Sequence, residues 1–221
     1  MGGISIARVK EDHEVTSMLE AGNEHLGTLG FTEHGLRHAN LVSRIANNIL
    51  SHLGYPKEDQ ELAELAGYLH DIGNVVSRCN HGQVGALLAG RILARLGVPA
   101  PQTATVMGAI GNHEEEHGQP VNTVAAALIL ADKSDVHRTR VRNPEVVKFD
   151  IHDRVNYAAE KSFIRVDPSG KKVTLELEID TSISPVMDYF EIFLTRMVMC
   201  RRAASFLGCR FELLINDVKL L

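Results

Sequence analysis

The chain has no tryptophan, only three cysteines and no long apolar segment. An odd number of cysteines without the paired spacing of zinc fingers argues against a disulfide framework and fits a reducing compartment. The longest apolar run, Val124 to Ala131, is far shorter than the roughly 20 residues that a membrane-spanning helix needs. The N-terminus also lacks the charged-then-apolar pattern of a signal peptide, so we expect a cytoplasmic protein without a membrane anchor.

Positive charge is not in excess either. The formal net charge is −5 at pH 7 and the isoelectric point is near 6.1, which disfavours a surface that coats nucleic acid. With 44% hydrophobic and 23% charged residues in 221, the chain is ordinary for a globular protein with a sizeable core. The unusual feature is eleven histidines, which indicate metal or proton chemistry.

One stretch, Leu62 to Gly73, carries an adjacent histidine and aspartate, His70 and Asp71. Its apolar residues recur at helical spacing, so we predict a helix with this pair on its last turn. Neighbouring side chains on a helix diverge by about 100°, so the two residues cannot chelate one ion from parallel directions. A carboxylate has two oxygens, however, and can lie between two ions. The pair therefore suits a dinuclear site, and a solvated helix end is the alternative.

Other histidines and aspartates fall at predicted helix ends or on a buried helix. Thr32 is the predicted N-cap of a helix over Glu33 to Leu53, and His34, Arg37 and His38 share one face near its start. Imidazole and carboxylate ligands suit Fe, Mn, Co, Zn or Ni and disfavour a calcium site built of oxygen alone. The candidate metal ligands are His34, His70, Asp71, His81, His113 and Asp132.

In its motifs and their order, the chain resembles the HD-domain superfamily of metal-dependent phosphohydrolases over residues 32–142. The matching motifs are H-x-x-R from His34, L-H-D-I-G around His70, H-x-x-x-G-A from His81, I-x-x-H ending at His113, and Ala131-Asp132-Lys133. The resemblance implies a mainly α fold with a helical HD-type core and two divalent ions. It implies that His34, His70, Asp71 and Asp132 hold one ion. His81 and His113 would hold the second, with Asp71 bridging the two.

Two ligand assignments have alternatives. His38 could replace His34 as the first ligand, although the H-x-x-R spacing favours His34. Asp132 follows a strongly apolar helical segment, and a lone buried carboxylate is costly unless it is paired or binds a cation. A salt bridge to Lys133 or Arg138 is the alternative to metal ligation for Asp132.

The resemblance further implies hydrolysis of a phosphate ester of a nucleotide-like small molecule by a metal-activated hydroxide, with Asp71 central to catalysis. Phosphoryl transfer requires positioning and charge neutralisation, so we expect Arg37, Lys133 and Arg138 to contact the phosphate. Glu114 is a candidate for passing a proton to the leaving oxygen, with an exposed acidic loop as the alternative. A diiron oxygenase and a non-catalytic, metal-stabilised binding or regulatory module are the alternative functions.

The C-terminal third has a different pattern. We predict a helical domain over residues 1–149 and a small α+β unit of ββαβ order over residues 150–221. Its predicted elements are strands Phe163 to Val166 and Val173 to Ile179, a helix Val186 to Leu207 and a last strand Arg210 to Leu220. Unpaired strand edges in this unit suggest a homodimer.

Overall fold

The computed structural model of the chain describes residues 5–143 and 150–220. Up to residue 143 the described chain is helical, and a small sheet with two further helices follows. The helices are α1 (Ile6–Lys10), α2 (His13–Thr28), α3 (Leu36–His52), α4 (Lys57–Leu69), α5 (His81–Arg95), α6 (Ala100–Gly111), α7 (Thr123–Lys133), α8 (Ile151–Ala158) and α9 (Val186–Phe206). Short 3-10 helices, Ile72–Val75 and Arg138–Arg140, follow α4 and α7.

The C-terminal sheet has the strand order β1-β2-β3-β4. Strand β1 pairs antiparallel with β2, β2 pairs parallel with β3 across the intervening helix α9, and β3 pairs antiparallel with β4. The strands are β1 (Ala159–Asp167), β2 (Lys172–Ile179), β3 (Arg210–Ile215) and β4 (Val218–Lys219). The apolar residues at alternate positions of β2 and β3 are buried on the core, and Thr174 and Glu212 between them are buried as well.

Helix α7 occupies the centre of the bundle. Its residues from Val124 to Ala131 are fully buried, and it packs against α3, α4 and α9. Asn122 fixes its start because the side-chain oxygen accepts a hydrogen bond from the Ala125 N–H at 2.7 Å. The polar residues Asp132 and Lys133, on its last turn, are therefore held at the middle of the protein.

Several predicted boundaries differ from the structure. Helix α3 begins at Leu36 after Gly35, so His34 precedes the helix instead of lying on its first turn. The predicted last strand is two strands, because Asn216 and Asp217 form a tight turn with φ of 49° and 63°. Asn and Asp tolerate this left-handed conformation, which suits a two-residue hairpin. The C-terminal unit thus has the order αββαββ, beginning with α8, and not ββαβ.

One hydrophobic core extends from Val9 in α1 to Ile215 in β3. The predicted domain boundary at residues 149 and 150 adjoins residues 144–149, which lie outside the described part of the chain, and it stays a prediction. Among the described residues, no helix is long and apolar enough to cross a membrane. The three cysteines are free thiols, and Cys200 and Cys209 are buried.

The contact between α3 and α4 depends on Gly67. A Cβ atom there would lie 2.7 Å from Ser43 Cα and 2.8 Å from Ser43 N, which are backbone atoms that cannot rotate away. We expect Gly67→Ala to lower the free energy of unfolding by about 1–3 kcal/mol because the helices must separate.

Gly108→Ala on α6 is the matched control, since its nearest neighbour, Asn122 Nδ2, is 3.5 Å away. We expect this change to raise the free energy of unfolding by about 0.5–1 kcal/mol, the usual gain of alanine over glycine inside a helix. Urea unfolding followed by circular dichroism measures both values. A stabilising Gly67→Ala would contradict the close approach of the two helices.

Candidate metal centre

Six polar side chains meet in the middle of the helical bundle. His38 comes from α3, Asp132 from the last turn of α7, and His81 from the first residue of α5. His70 and Asp71 directly follow the last residue of α4, and His113 follows Asn112, the C-cap of α6. Their donor atoms form three overlapping groups whose atoms lie within 4.8 Å of one another. The groups are His38, His70 and Asp71; His70, His113 and Asp132; and Asp71, His81 and His113.

Asp71 lies between two sets of imidazoles. Its Oδ2 atom is 3.6 Å from His38 Nε2 and 3.4 Å from His70 Nε2. Its Oδ1 atom is 3.3 Å from His81 Nε2, which in turn is 3.2 Å from His113 Nε2. Asp132 Oδ1 completes the first set, 3.3 Å from His38 Nε2 and 3.6 Å from His70 Nε2. Each oxygen of Asp71 therefore faces a separate set of donors, as a bridging carboxylate requires.

The other ring nitrogens show how the imidazoles are protonated. The Nδ1 atoms of His70, His81 and His113 face backbone carbonyl oxygens at 2.9, 3.1 and 2.7 Å, and His38 Nδ1 faces Asp135 Oδ2 at 2.7 Å. Because these oxygens only accept, each Nδ1 carries the proton and donates it. The four Nε2 atoms are therefore the ones that face inward and are left to bind a metal ion. This is the tautomer that metal-binding histidines adopt.

A cation fits this arrangement. The Nε2 atoms of His38 and His70 are 3.2 Å apart, and both lie 3.3–3.6 Å from oxygens of Asp71 and Asp132, so one cation can contact all of them. Asp71 Oδ2 is buried and has no hydrogen-bond partner among the described residues, although an unpaired buried oxygen is costly. A divalent ion in each set would satisfy the lone pairs and this oxygen together. The donor set suits Fe, Mn, Co, Zn or Ni.

The electrostatics of the cluster also favour added positive charge. Burial lowers the pKa of His70, but the carboxylates of Asp71 and Asp132 outweigh it and raise that pKa to about 10. Burial together with nearby His70 lowers the pKa of His113 to about 3. Burial would raise the pKa of Asp71, yet His70 and His81 hold it well below its usual range. The carboxylates thus stay ionised and attract a cation.

The structure places His38, and not His34, among the donors. His34 precedes α3 and its Nδ1 donates to the Thr32 carbonyl at 2.7 Å, whereas His38 is fully buried. The missed signal was the helical face: His38 lies four residues before Val42 and eight before Ala46, which are both core residues. A residue on that stripe faces the bundle interior.

Asp135, which the sequence motifs did not single out, holds His38 in place. Its carboxylate accepts from His38 Nδ1, and Arg37 Nη2 donates to the same oxygen at 2.8 Å. The Arg140 guanidinium nearby helps to keep the pKa of Asp135 far below its usual range despite burial. Asp135 and His38 are 97 positions apart, so only the tertiary fold joins them.

We expect Asp135→Asn to weaken metal binding by about 10–100-fold, the usual effect of losing such a supporting carboxylate. The amide accepts less strongly than the carboxylate and leaves Arg37 with Glu33 as its remaining ion-pair partner. Competition with a chromophoric chelator measures the affinity. Asp188→Asn is the matched control, because Asp188 also pairs with an arginine, Arg154, at 3.0 Å but lies away from the donors. Equal affinities in both variants would contradict the role of Asp135.

A small opening, here called the mouth, leads from the donors to the surface. Lys133 lines it with its Nζ 2.7 Å from Asp132 Oδ2 and 3.0 Å from Glu115 Oε1. Arg196, on α9 of the C-terminal unit, reaches the same Glu115 oxygen at 2.8 Å. Apart from the donors, the mouth is lined by His34, Arg78, Glu115, Lys133, Arg140 and Arg196. Its cations lie beside carboxylates, since Lys133 and Arg196 are both paired with Glu115.

Three other predicted site residues do not line the mouth. Arg37 is paired with Glu33 and Asp135 behind His38. Arg138 pairs with Glu160 at 2.8 Å and lies over the Tyr157 ring. Glu114 accepts from the Gly82 N–H and lies 3.0 Å from His81 Nδ1, on the side of that ring away from the other donors. Lys133 is the predicted phosphate contact that the structure brings to the mouth.

The structure adds two arginines that the sequence pattern left out. Arg78 lies in the loop before α5, three residues from His81, and Arg196 lies on a helix predicted only as part of the C-terminal unit. The position of Arg78 beside a candidate ligand could have indicated it. No sequence signal links Arg196 to the site, because packing of α9 against α7 brings it there.

The chain is similar to known proteins over the region that holds the donors. The family model for the HD domain matches residues 32–157, which is more than half of the chain. A curated relative, the uncharacterized protein MJ1020 of Methanocaldococcus jannaschii, is 30% identical over 194 residues, covering 76% of this chain and 73% of the relative. The matched region contains all six converging donors, and the chain therefore belongs to the HD-domain family, in the superfamily of metal-dependent phosphohydrolases.

Proposed function

We propose that this protein is a phosphohydrolase that uses two divalent metal ions to release phosphate from a nucleotide-like small molecule. The observation that carries the proposal is Asp71, whose two oxygens each face a separate set of imidazole donors. When bound there, such ions polarise the phosphate and lower the pKa of coordinated water to about 7. Asp71 would bridge them, and His38, His70, His81, His113 and Asp132 would complete the two sets.

The chain's own cations would position the phosphate. Lys133 is already balanced by Asp132 and Glu115, and Arg196 by Glu115. Arg78 has no carboxylate within ion-pair distance among the described residues; its guanidinium lies over the Phe31 ring, and its Nη1 is 3.5 Å from His81 Nε2. An arginine whose charge is not neutralised, beside the donor atoms, is the leading phosphate contact.

A phosphate-release screen tests the proposed function. Protein purified without chelator or affinity metal is analysed for metals and spin state, then assayed for phosphate release from nucleoside monophosphates and p-nitrophenyl phosphate. We expect about two metal equivalents and phosphate release that a chelator stops and that Mn²⁺ or Co²⁺ restores. A mixed-valent pair of irons without phosphate release from any substrate would overturn the proposal in favour of an oxygenase.

We expect Arg78→Ala to lower kcat/KM for the best substrate by about 10–100-fold, since a charge-assisted hydrogen bond contributes roughly 1.5–3 kcal/mol. Metal content should not change, because Arg78 is not a donor. Steady-state kinetics and elemental analysis measure the two quantities. Arg138→Ala is the control, since its partner is Glu160 at the surface. A larger loss of kcat/KM in Arg138→Ala than in Arg78→Ala would favour Arg138, the phosphate contact expected from the sequence, over Arg78.

The oligomeric state is a separate proposal. Strand β1 forms one edge of the sheet, and pairing of this edge with a second copy would give a homodimer. Sedimentation of the purified protein tests this directly.

A further inference from the structure

Glu115 is an acidic residue at the mouth that does not belong to the six donors. Among the described residues that line this opening, the others outside the donor set are His34 and four cations. The cations are Arg78, Lys133, Arg140 and Arg196. A phosphate that enters the mouth therefore meets several attractive charges and, apart from the donors, one carboxylate whose charge has the same sign as its own.

The Glu115 carboxylate lies between two of these cations. Its Oε1 atom is 3.0 Å from Lys133 Nζ and 2.8 Å from Arg196 Nε. The same oxygen is buried and has no hydrogen bond of good geometry among the described residues, so the two cations attract it by charge without satisfying it fully. A phosphate oxygen binds lysine and arginine through charge-assisted hydrogen bonds. The carboxylate therefore holds a place that suits a phosphate oxygen.

The mouth is too small for a phosphate group as long as Glu115 lies in it. Its volume is about 20 Å³, and a single water molecule needs roughly 10–15 Å³. A phosphate group carries four oxygens around its phosphorus atom. A side chain must therefore move before the phosphate of a substrate can reach the donors.

Glu115 is the group that an incoming phosphate would expel, because the phosphate repels the carboxylate and attracts the cations. Glu115 lies in the turn between α6 and α7, and 22% of its side chain is exposed. The side chains of Lys133 and Arg140 are only 6% and 5% exposed, so the bundle encloses them. Rotation of the Glu115 side chain into solvent would clear the mouth without moving the helices.

Departure of Glu115 would also free a cation. Arg196 has Glu115 as its carboxylate partner within ion-pair distance among the described residues. Without that partner, its charge would be available to the phosphate. Lys133 would keep Asp132 at 2.7 Å and would lose its second carboxylate. Both cations thus become stronger phosphate contacts at the moment when the space opens.

We propose that Lys133 and Arg196 form a phosphate-binding pair, which Glu115 occupies until the phosphate of the substrate displaces its carboxylate. The proposal rests on the proposed function, because it takes the substrate to be a phosphate ester. It gives the C-terminal unit a direct part in substrate binding, since α9 supplies Arg196. Glu115 sets the affinity for phosphate and is not a catalytic residue.

Calorimetric titration with inorganic phosphate, on protein purified with its own metal ions, tests the role of Glu115. We expect Glu115→Gln to bind phosphate about tenfold more tightly than the unchanged protein. The amide keeps the shape of the side chain but neither repels the anion nor neutralises the two cations. Glu116→Gln is the matched control, since Glu116 lies in the same turn with 84% of its side chain exposed, beside His117. Its phosphate affinity should not change.

A double variant tests the role of Arg196. If Arg196 contacts the phosphate, adding Arg196→Gln to Glu115→Gln should weaken phosphate binding about tenfold. If Arg196 serves only to hold Glu115, the same change should have no effect once the carboxylate has been replaced. Arg196→Lys in this background keeps a cation and should keep most of the affinity, which covers a double variant that does not fold.

The two proposals fail in different ways. Unchanged, weaker or undetectable phosphate binding by Glu115→Gln would overturn the role of Glu115, even if the protein hydrolyses phosphate esters. An Arg196→Gln change without effect in the double variant would overturn the phosphate-binding pair. Tighter phosphate binding by Glu115→Gln in a protein that hydrolyses no ester would support the pair and remove the phosphohydrolase.

Discussion

Asp71→Asn is expected to lower phosphate release by about 10³-fold or more, equivalent to roughly 4 kcal/mol in the activation barrier. The variant should also lose at least one of the two metal ions. The carboxylate offers one oxygen to each set of imidazoles, whereas an amide has a single oxygen and its nitrogen carries no available lone pair. Neither set would keep an anionic oxygen from residue 71, and only one set would keep an oxygen ligand from it at all.

Elemental analysis and phosphate release measure this effect, and circular dichroism shows whether the fold is retained. Asp59→Asn is the matched control, because Asp59 also lies on α4 and accepts from Thr123 Oγ1 at 3.2 Å, far along the helix from the donors. We expect it to keep two metal equivalents and full activity. Undiminished phosphate release by Asp71→Asn with both ions present would remove Asp71 from the mechanism.

His38→Ala and His34→Ala are expected to differ sharply in metal content. His38 Nε2 lies 3.2–3.6 Å from His70, Asp71 and Asp132, so its loss should remove the ion of the first set and lower activity about 10³-fold. His34 lies outside every donor group. The His34→Ala variant should therefore keep both ions, with any kinetic loss confined to substrate binding.

Metal titration of the two variants, followed by elemental analysis after dialysis, measures this difference. Arg37 and Asp135 flank His38, so a folding check by near-ultraviolet circular dichroism accompanies it. Loss of one metal equivalent in His34→Ala, with both retained in His38→Ala, would support the assignment that the H-x-x-R spacing favoured.

Much of the fold follows from local sequence. The apolar run from Val124 to Ala131 predicts the central helix and the burial of Asp132 at its end, because a helix apolar on all sides must be enclosed. The predicted strands Phe163 to Val166 and Val173 to Ile179 likewise lie within the paired strands β1 and β2. The order of five short motifs identifies the family, since each motif is a local pattern.

The tertiary structure decided which of several neighbouring residues enter the site. His34 and His38 lie close together in sequence, but α3 begins only at Leu36, and the packing of its buried face brings His38 inward. Likewise, Arg37 and Arg138 form ion pairs with carboxylates away from the mouth. Arg78 and Arg196 line the mouth instead. The local sequence determines which residue types lie near each other along the chain and which local conformation they adopt. The direction in which a side chain points depends on contacts between helices that are distant in sequence.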